Sequence, residues 1–324
     1  MMARHLIALI LIGGSAAPAA AQSTPRWRLV ADNDYFNFWQ APARRPDVEY
    51  TQGLTISVAL SGAPRLARSM RSGLAECGVR APAATDETAC WSTTLHVAQE
   101  IYTPWNDAPT WQPGQRPYAG WLALGATARA TTFTREDALG LSVGVTGPAS
   151  LASGVQTAFH RLAGFRTVLG WPDQLKTEPG IILSYGGGRA ATVAVSRGTP
   201  LLVAGPYWRA RLGNIATDAS LGLRLHAGWN VPSLWSAGQT RRSGLSVFGI
   251  AGVRQDAVAR NLFLDGNTFR AGPRVTKHSW VREVELGIGL RWHRVGVEWR
   301  TMHRQCEYRT QPEPHRFSSI AVTL

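Results

Sequence analysis

Along most of this chain apolar and polar residues alternate with a period of two, the mark of strands that show one face to an apolar medium and the other to a polar interior. Twelve stretches read this way, near residues 26–33, 50–61, 92–102, 118–132, 137–146, 178–196, 201–214, 218–230, 245–257, 279–292, 294–304 and 316–324. In the second, Leu54, Ile56, Val58 and Leu60 share one face, and Thr51, Gly53, Thr55 and Ser57 the other, so Thr51 is expected to point inward. In the eighth, Leu221, Leu223, Leu225, Ala227 and Trp229 oppose Gly222, Arg224 and His226. In the tenth, Val284, Leu286, Ile288, Leu290 and Trp292 oppose Glu283, Glu285, Gly287 and Arg291. A sandwich core has no polar interior to receive such charges, whereas a barrel lumen does. The pattern therefore predicts an all-β fold: a transmembrane antiparallel β-barrel of about 12 strands, with Arg224, His226, Glu283, Glu285 and Arg291 in a lumenal network.

An even strand count returns both termini to the periplasmic side, so connections after odd strands are extracellular. Those after even strands are expected to be short turns, with the stretch from Gly62 to Trp91 as the exception. Those after odd strands are longer and chemically richer: Asp34 to Glu49, Thr103 to Pro117, Gly147 to Thr177, Val258 to His278 and Gln305 to His315. On the third of these, Gly147 and Pro148 end the strand pattern, Ser150 is the expected N-cap of a short helix, and Gln156 and His160 follow four residues apart on one helical face. An amide and an imidazole side by side suit a site built around a catalytic base, although a lone histidine on a helix is more often only solvated or satisfied. Asp265-Gly266-Asn267 reads as a turn rather than a cation site.

Composition agrees with the barrel. Charged residues are only 17% of the chain, and the 33 glycines and 13 tryptophans suit small lumenal positions and interfacial aromatics. Arg4 and His5, an apolar run over residues 6–12 and Ala19-Ala20-Ala21 have the order of a secretory signal peptide, so residues 1–21 are assigned to it and 22–324 to the barrel domain. No later apolar run is long enough for a membrane-spanning helix. The net charge of +13 rests almost wholly on arginine, whose fork suits phosphate groups, and a basic outer rim would suit a phosphorylated glycolipid. An exported chain without a clustered basic run gives no reason to expect nucleic acid. Of three cysteines, Cys77 and Cys90 share one loop and are the favoured pair, which leaves Cys306 a free thiol.

Asp32-Asn33-Asp34, Tyr50-Thr51-Gln52-Gly53, Tyr102-Thr103-Pro104, Arg116-Pro117-Tyr118-Ala119-Gly120, the Gly147 to His160 helix, the Val258 to Phe269 run and Tyr308-Arg309-Thr310-Gln311 all fall at the extracellular rim. In this order they resemble the outer-membrane lipid A 3'-O-deacylase family over essentially the whole chain from Trp27. The resemblance implies a calcium-dependent hydrolase of the 3'-acyloxyacyl ester of lipid A, acting on lipopolysaccharide in the outer leaflet of the outer membrane. It places site residues at Asn33, Asp34, Thr51, Gln156 and His160, with His160 as the base that activates water. Asp34 would orient the imidazole or hold calcium, and Asn33 or Thr51 would stand near the oxyanion. The chain departs from the family in having no lysine between Thr103 and Pro117, where Arg116 is the candidate to supply positive charge to the substrate. Gln115-Arg116 stands where Asp-Arg is usual, and Leu324 where an aromatic is common. Two other readings are a barrel phospholipase or acyltransferase and a non-catalytic barrel. Oligomeric state is left open.

Overall fold

The computed structural model describes residues 25–38, 48–62, 75–76, 90–106, 108–235 and 244–324. The expected signal peptide and Cys77 lie outside these residues. Twelve staves close into one antiparallel barrel: β1 (Arg26–Asn33), β2 (Glu49–Ser61), β3 (Cys90–Thr103), β4 (Ala119–Thr131), β5 (Arg135–Thr146), β6 (Pro179–Arg189, continued by Ala191–Ser196), β7 (Thr199–Gly213), β8 (Ala216–Trp229), β9 (Leu245–Asn261), β10 (Trp280–Trp292), β11 (Val295–Arg304) and β12 (His315–Thr323). Each pairs with its chain neighbours, and β12 returns to β1 with Thr323 opposite Arg28, which closes the ring of staves; the Ala191–Ser196 extension of β6 pairs with β7 alone. The expected sixth strand is interrupted at Ala190, whose N–H turns away to the Thr134 carbonyl.

The outward faces carry an aliphatic band that includes Leu29, Ile56, Val97, Leu124, Val143, Leu183, Leu221, Leu286 and Ile288, all exposed as a lipid-facing surface requires. Exposed Trp27, Trp229 and Trp292 stand at the end nearer the termini, where indoles favour a membrane interface. Among the described residues no helix is long and apolar enough to cross a membrane.

The lumen is filled rather than open. At mid-height Arg224 pairs with Glu285 at 2.5 Å, Arg300 joins Glu285 to Glu298, and Arg28 reaches Glu298 at 3.2 Å. A second chain runs from Arg304 through Glu283 to Arg254 and Asp256. This is the expected lumenal network, extended by partners from β1, β9 and β11; His226 packs beside it on Phe248, and Arg291 donates to the His293 carbonyl.

Apolar clusters seal both ends. At the terminal side, the connection after β8 is long, contrary to the expected short turn, and its residues 231–235 fold into the barrel. Val231 and Leu234 pack on Phe133, Val203, Phe248 and Ile250, and Ser233 Oγ donates to the Phe133 carbonyl at 2.8 Å. At the other mouth Tyr50, Tyr102, Trp121, Ile215, Phe263, Met302 and Phe317 form a buried lid. The segment expected as loop from Val258 is strand up to Asn261, then a helical turn, Leu262–Asp265. Asp265 uses one oxygen on the Asn261 N–H and the other on Lys277 Nζ, both at 2.8 Å, so it braces a turn and offers no cation site. Cys90 is disulfide-bonded and Cys306 is free.

Candidate active site

Strand β3 alternates, and its consecutive residues Tyr102 and Thr103 must point to opposite faces. Tyr102 belongs to the lumenal lid, its ring 5.4 Å from Tyr50 and 4.2 Å from Phe263. Thr103 therefore points outward, and its hydroxyl lies 2.6 Å from that of Thr51. The pairing of β2 with β3 slips between Tyr50 and Gln52, a bulge that turns Thr51 out as well. The expectation that Thr51 faces the lumen is corrected by this bulge. Asn33 follows Asp32, which accepts from the lumenal Tyr50 hydroxyl at 2.9 Å, so Asn33 too is on the outer wall.

Two loop segments cover that wall. On one side a 3-10 helix, Asp34–Phe36, begins at Asn33, whose side-chain oxygen accepts from the Tyr35 N–H at 2.7 Å. Asp34 Oδ2 accepts from the Val48 N–H, and Asn37 bonds Ser318 and the Arg316 carbonyl on β12. On the other side lies the expected helix, α1 (Ala152–Ala163). Ser150 is not its N-cap: it ends a 3-10 turn, Gly147–Ser150, and donates to the Gly147 carbonyl, while Leu151 in the left-handed region starts α1. Ile101, Tyr118, Ala152 and Trp171 pack between helix and wall, and Gln99 Nε2 holds the Ser150 carbonyl at 2.7 Å. The helix can approach because Gly120 has no side chain; a Cβ there would fall 2.1 Å from Ser150 Oγ and 2.3 Å from the Ala152 Cβ.

This placement buries the catalytic candidates under the loops. Asn33, Asp34, Thr51, Gln156 and His160 are each at most 6% exposed. Trp171 Nε1, a donor only, gives its proton to Gln156 Oε1 at 2.8 Å, which turns the amide nitrogen and its two protons the other way. Left-handed Gly164 (φ 73°) ends α1, and the Phe165 N–H closes back on the His160 carbonyl at 2.8 Å. That reversal brings the Arg166 carbonyl 2.5 Å from His160 Nδ1. A carbonyl only accepts, so Nδ1 carries a proton, and in the neutral form of the ring the lone pair is at Nε2. Phe165 stands edge-on to the imidazole at 5.7 Å and meets Tyr35 at 5.2 Å, which joins the two covering segments above the wall. The orienting partner of Nδ1 is thus a backbone carbonyl, which sequence reasoning missed.

Arg116 is not positioned to meet a substrate. It is fully buried, its Nη1 3.0 Å from Glu49 and 3.4 Å from Glu307, with the guanidinium 4.9 Å from the Tyr102 ring centre. Glu49 also accepts from the Tyr308 hydroxyl at 2.7 Å and holds a left-handed backbone (φ 65°) where β2 begins. The proposed positive charge is spent on locking three loops together, and the sequence offered no sign that Glu49 and Glu307 would be its partners.

Among the described residues no cluster of three or more His, Cys, Asp or Glu side chains could hold a metal by itself. The donors on the wall are hard oxygens: the Asp34 carboxylate, the Asn33 amide oxygen and the Thr51 and Thr103 hydroxyls. They fit calcium better than a soft metal, with water and substrate oxygens needed to complete its shell.

The family model for the outer membrane protein LpxR matches residues 6–324. The chain belongs to the LpxR outer membrane protein family. LpxR from Salmonella typhimurium is 20% identical, with a TM-score of 0.72 over 92% of this chain and 99% of that one, so the two share the barrel fold. The β domain of the Bordetella autotransporter BrkA (11% identical, covering 92% and 97%) and the transport unit of AIDA-I from Escherichia coli (8%, covering 96% and 92%) overlay more loosely, with TM-scores of 0.43 and 0.44. No curated protein matches the sequence. Membership in the LpxR family, with the closed barrel, sets the chain in the outer membrane and makes the loop-bearing rim extracellular.

Proposed function

We propose that this LpxR-family barrel is an outer-membrane esterase that hydrolyses the 3'-acyloxyacyl ester of lipid A. The observation that carries the reading is the position of His160: fixed in one tautomer by Arg166, buried, and set against the outward wall, where a lipid arrives from the side. A site for a soluble substrate would open upward or into the lumen.

His160 Nε2 takes a proton from water as the oxygen attacks the ester carbonyl carbon. The tetrahedral oxyanion meets the amide protons of Gln156, whose direction Trp171 sets, and the one hydroxyl proton that the Thr51–Thr103 pair does not use internally. Collapse breaks the bond to the sugar oxygen, which takes the proton back from the imidazolium, leaving a free acyloxyacyl acid and a sugar hydroxyl. Asp34 and Asn33 would hold calcium, which when bound supplies a positive charge that polarises the ester carbonyl. Because Nδ1 is already held by Arg166, Asp34 is assigned to the cation rather than to the imidazole.

The sealed lumen weighs against a pore. The test is purified barrel in micelles with lipid A or with phosphatidylethanolamine, followed by mass spectrometry of released acids. Acyloxyacyl acid from lipid A, lost in His160→Ala, supports the reading; release of fatty acid from phosphatidylethanolamine alone would move it to a phospholipase.

A further inference from the structure

Inside the barrel Arg28, Arg224, Arg254, Arg300 and Arg304 each reach a carboxylate. On the outside the opposite holds at one place. Arg282 lies between the lumenal pair Val281 and Glu283, His303 between Met302 and Arg304, and Arg316 between His315 and Phe317, so all three point outward, and all are exposed. They stand on the adjacent staves β10, β11 and β12. His303 is directly opposite Arg316 on one side and Val284 on the other, and Arg282 faces Gln255 of β9, with its Nε 3.4 Å from that amide oxygen. Among the described residues no carboxylate pairs with Arg282, His303 or Arg316.

Arg316 and Arg282 thus hold their charges on the outer face with only uncharged cross-strand neighbours, His303 and Gln255, and no acid to pair with. The row sits above the exposed aliphatic positions Val284, Leu286 and Ile288 of β10 and Val297 of β11, with the exposed Trp280 beside it. That is the level at which the headgroups of the outer leaflet meet the protein wall. We propose that Arg282, His303 and Arg316 form a docking row for the phosphate groups of an outer-leaflet glycolipid. Three staves span about 10 Å. A row of that width matches several phosphates on a sugar frame better than the single phosphate of a glycerophospholipid.

The row also leads to the candidate active site. Arg316 and Ser318 lie two positions apart on the outward face of β12, about 7 Å along the strand. Asn37 binds both, accepting from Ser318 Oγ at 2.8 Å and donating to the Arg316 carbonyl at 3.0 Å, and Ser318 is in register with Asn33. A glycolipid held by its phosphates at Arg316 would thus have its sugar beside the Asp34–Phe36 segment, which covers the wall that Asn33 and Thr51 line. The identity of the ligand as lipid A rests on the function proposed above, but binding requires no ester cleavage.

The test uses the full-length barrel in neutral detergent with chelator present, wild type against the triple variant Arg282→Gln, His303→Gln, Arg316→Gln. Binding of diphosphorylated lipid A, of the same lipid stripped of phosphate, and of phosphatidylglycerol is titrated by native mass spectrometry. Wild type is expected to hold diphosphorylated lipid A about tenfold more tightly than the variant does, with the difference gone for the stripped lipid. Equal binding of diphosphorylated lipid A by both proteins would overturn the row, as would phosphatidylglycerol binding to wild type as tightly as lipid A. The stripped lipid supplies a comparison on wild type alone, should the variant fail the heat-mobility test for a folded barrel. A barrel that binds phosphates here yet cleaves no ester would leave the row standing and remove the esterase.

Discussion

His160 Nδ1 and the Arg166 carbonyl stand 2.5 Å apart because the chain reverses at Gly164 with φ 73°, six residues bringing the end of a helix back onto its own imidazole. The reversal needs a residue at ease in the left-handed region. A Cβ at Gly164 would meet nothing within 4 Å, so the cost of adding one is conformational alone, about 1–2 kcal/mol. Gly164→Ala is expected to leave the barrel folded but to lower kcat and shift the pH–rate profile, since the imidazole loses its fixed partner. Gly164→Asn, which tolerates this backbone, should recover much of the loss. Steady-state rates across pH for the three proteins check this.

Arg116 should matter for stability. Its removal leaves Glu49 and Glu307 buried together without their cation, a change of about 3–5 kcal/mol. Arg116→Met is expected to lower the Tm of the barrel in detergent markedly, and Arg116→Lys to recover only part, because an ammonium lacks the planar fork. If Arg116→Met kept the wild-type Tm and raised only KM, the residue would be a substrate contact after all.

Gly120 tests the seating of α1. Gly120→Ala forces its methyl into Ser150 and Ala152, an overpacking cost of about 1–3 kcal/mol concentrated on the helix rather than the barrel. Esterase activity should fall while heat mobility of the barrel stays unchanged, and limited proteolysis should cut the 147–178 loop faster.

Glu178 provides a pH dependence. Burial raises its pKa, but the N–H groups of Thr268 at 2.8 Å and Phe269 at 3.2 Å outweigh that and hold the carboxyl below its usual range. A carboxylate with a lowered folded pKa contributes stability that is complete above the ordinary carboxylate value and is lost as pH falls through the folded one. The Tm difference between wild type and Glu178→Gln should therefore be constant near neutrality and shrink only in strong acid. A difference that vanished already near pH 6 would contradict the N–H contacts.

The barrel was legible because a stave between lipid and a polar lumen writes its period into the sequence: β8 and β10 could be read side chain by side chain, within a residue or two of their observed ends. What escaped depends on backbone events that leave no such trace. The bulge at Thr51 shifts one residue across the wall, the N–H of Ala190 breaks β6, and the segment at 231–235 enters the lumen with few polar residues to announce a turn. Gln156 and His160 were legible as one helical face, whereas the Arg166 carbonyl belongs to a reversal set by one glycine. Arg116 was visible only as a charge, since its partners Glu49 and Glu307 lie 67 and 191 positions away in the chain.

The most direct test of the central claim is mass spectrometry of lipid A from a Gram-negative host expressing wild type or His160→Ala, with membranes incubated in calcium or in chelator. Loss of one acyloxyacyl unit that needs both calcium and His160, by at least about 100-fold in rate, is the predicted result. An unchanged lipid A spectrum from a folded, inserted wild-type barrel, or full cleavage by His160→Ala, would contradict it.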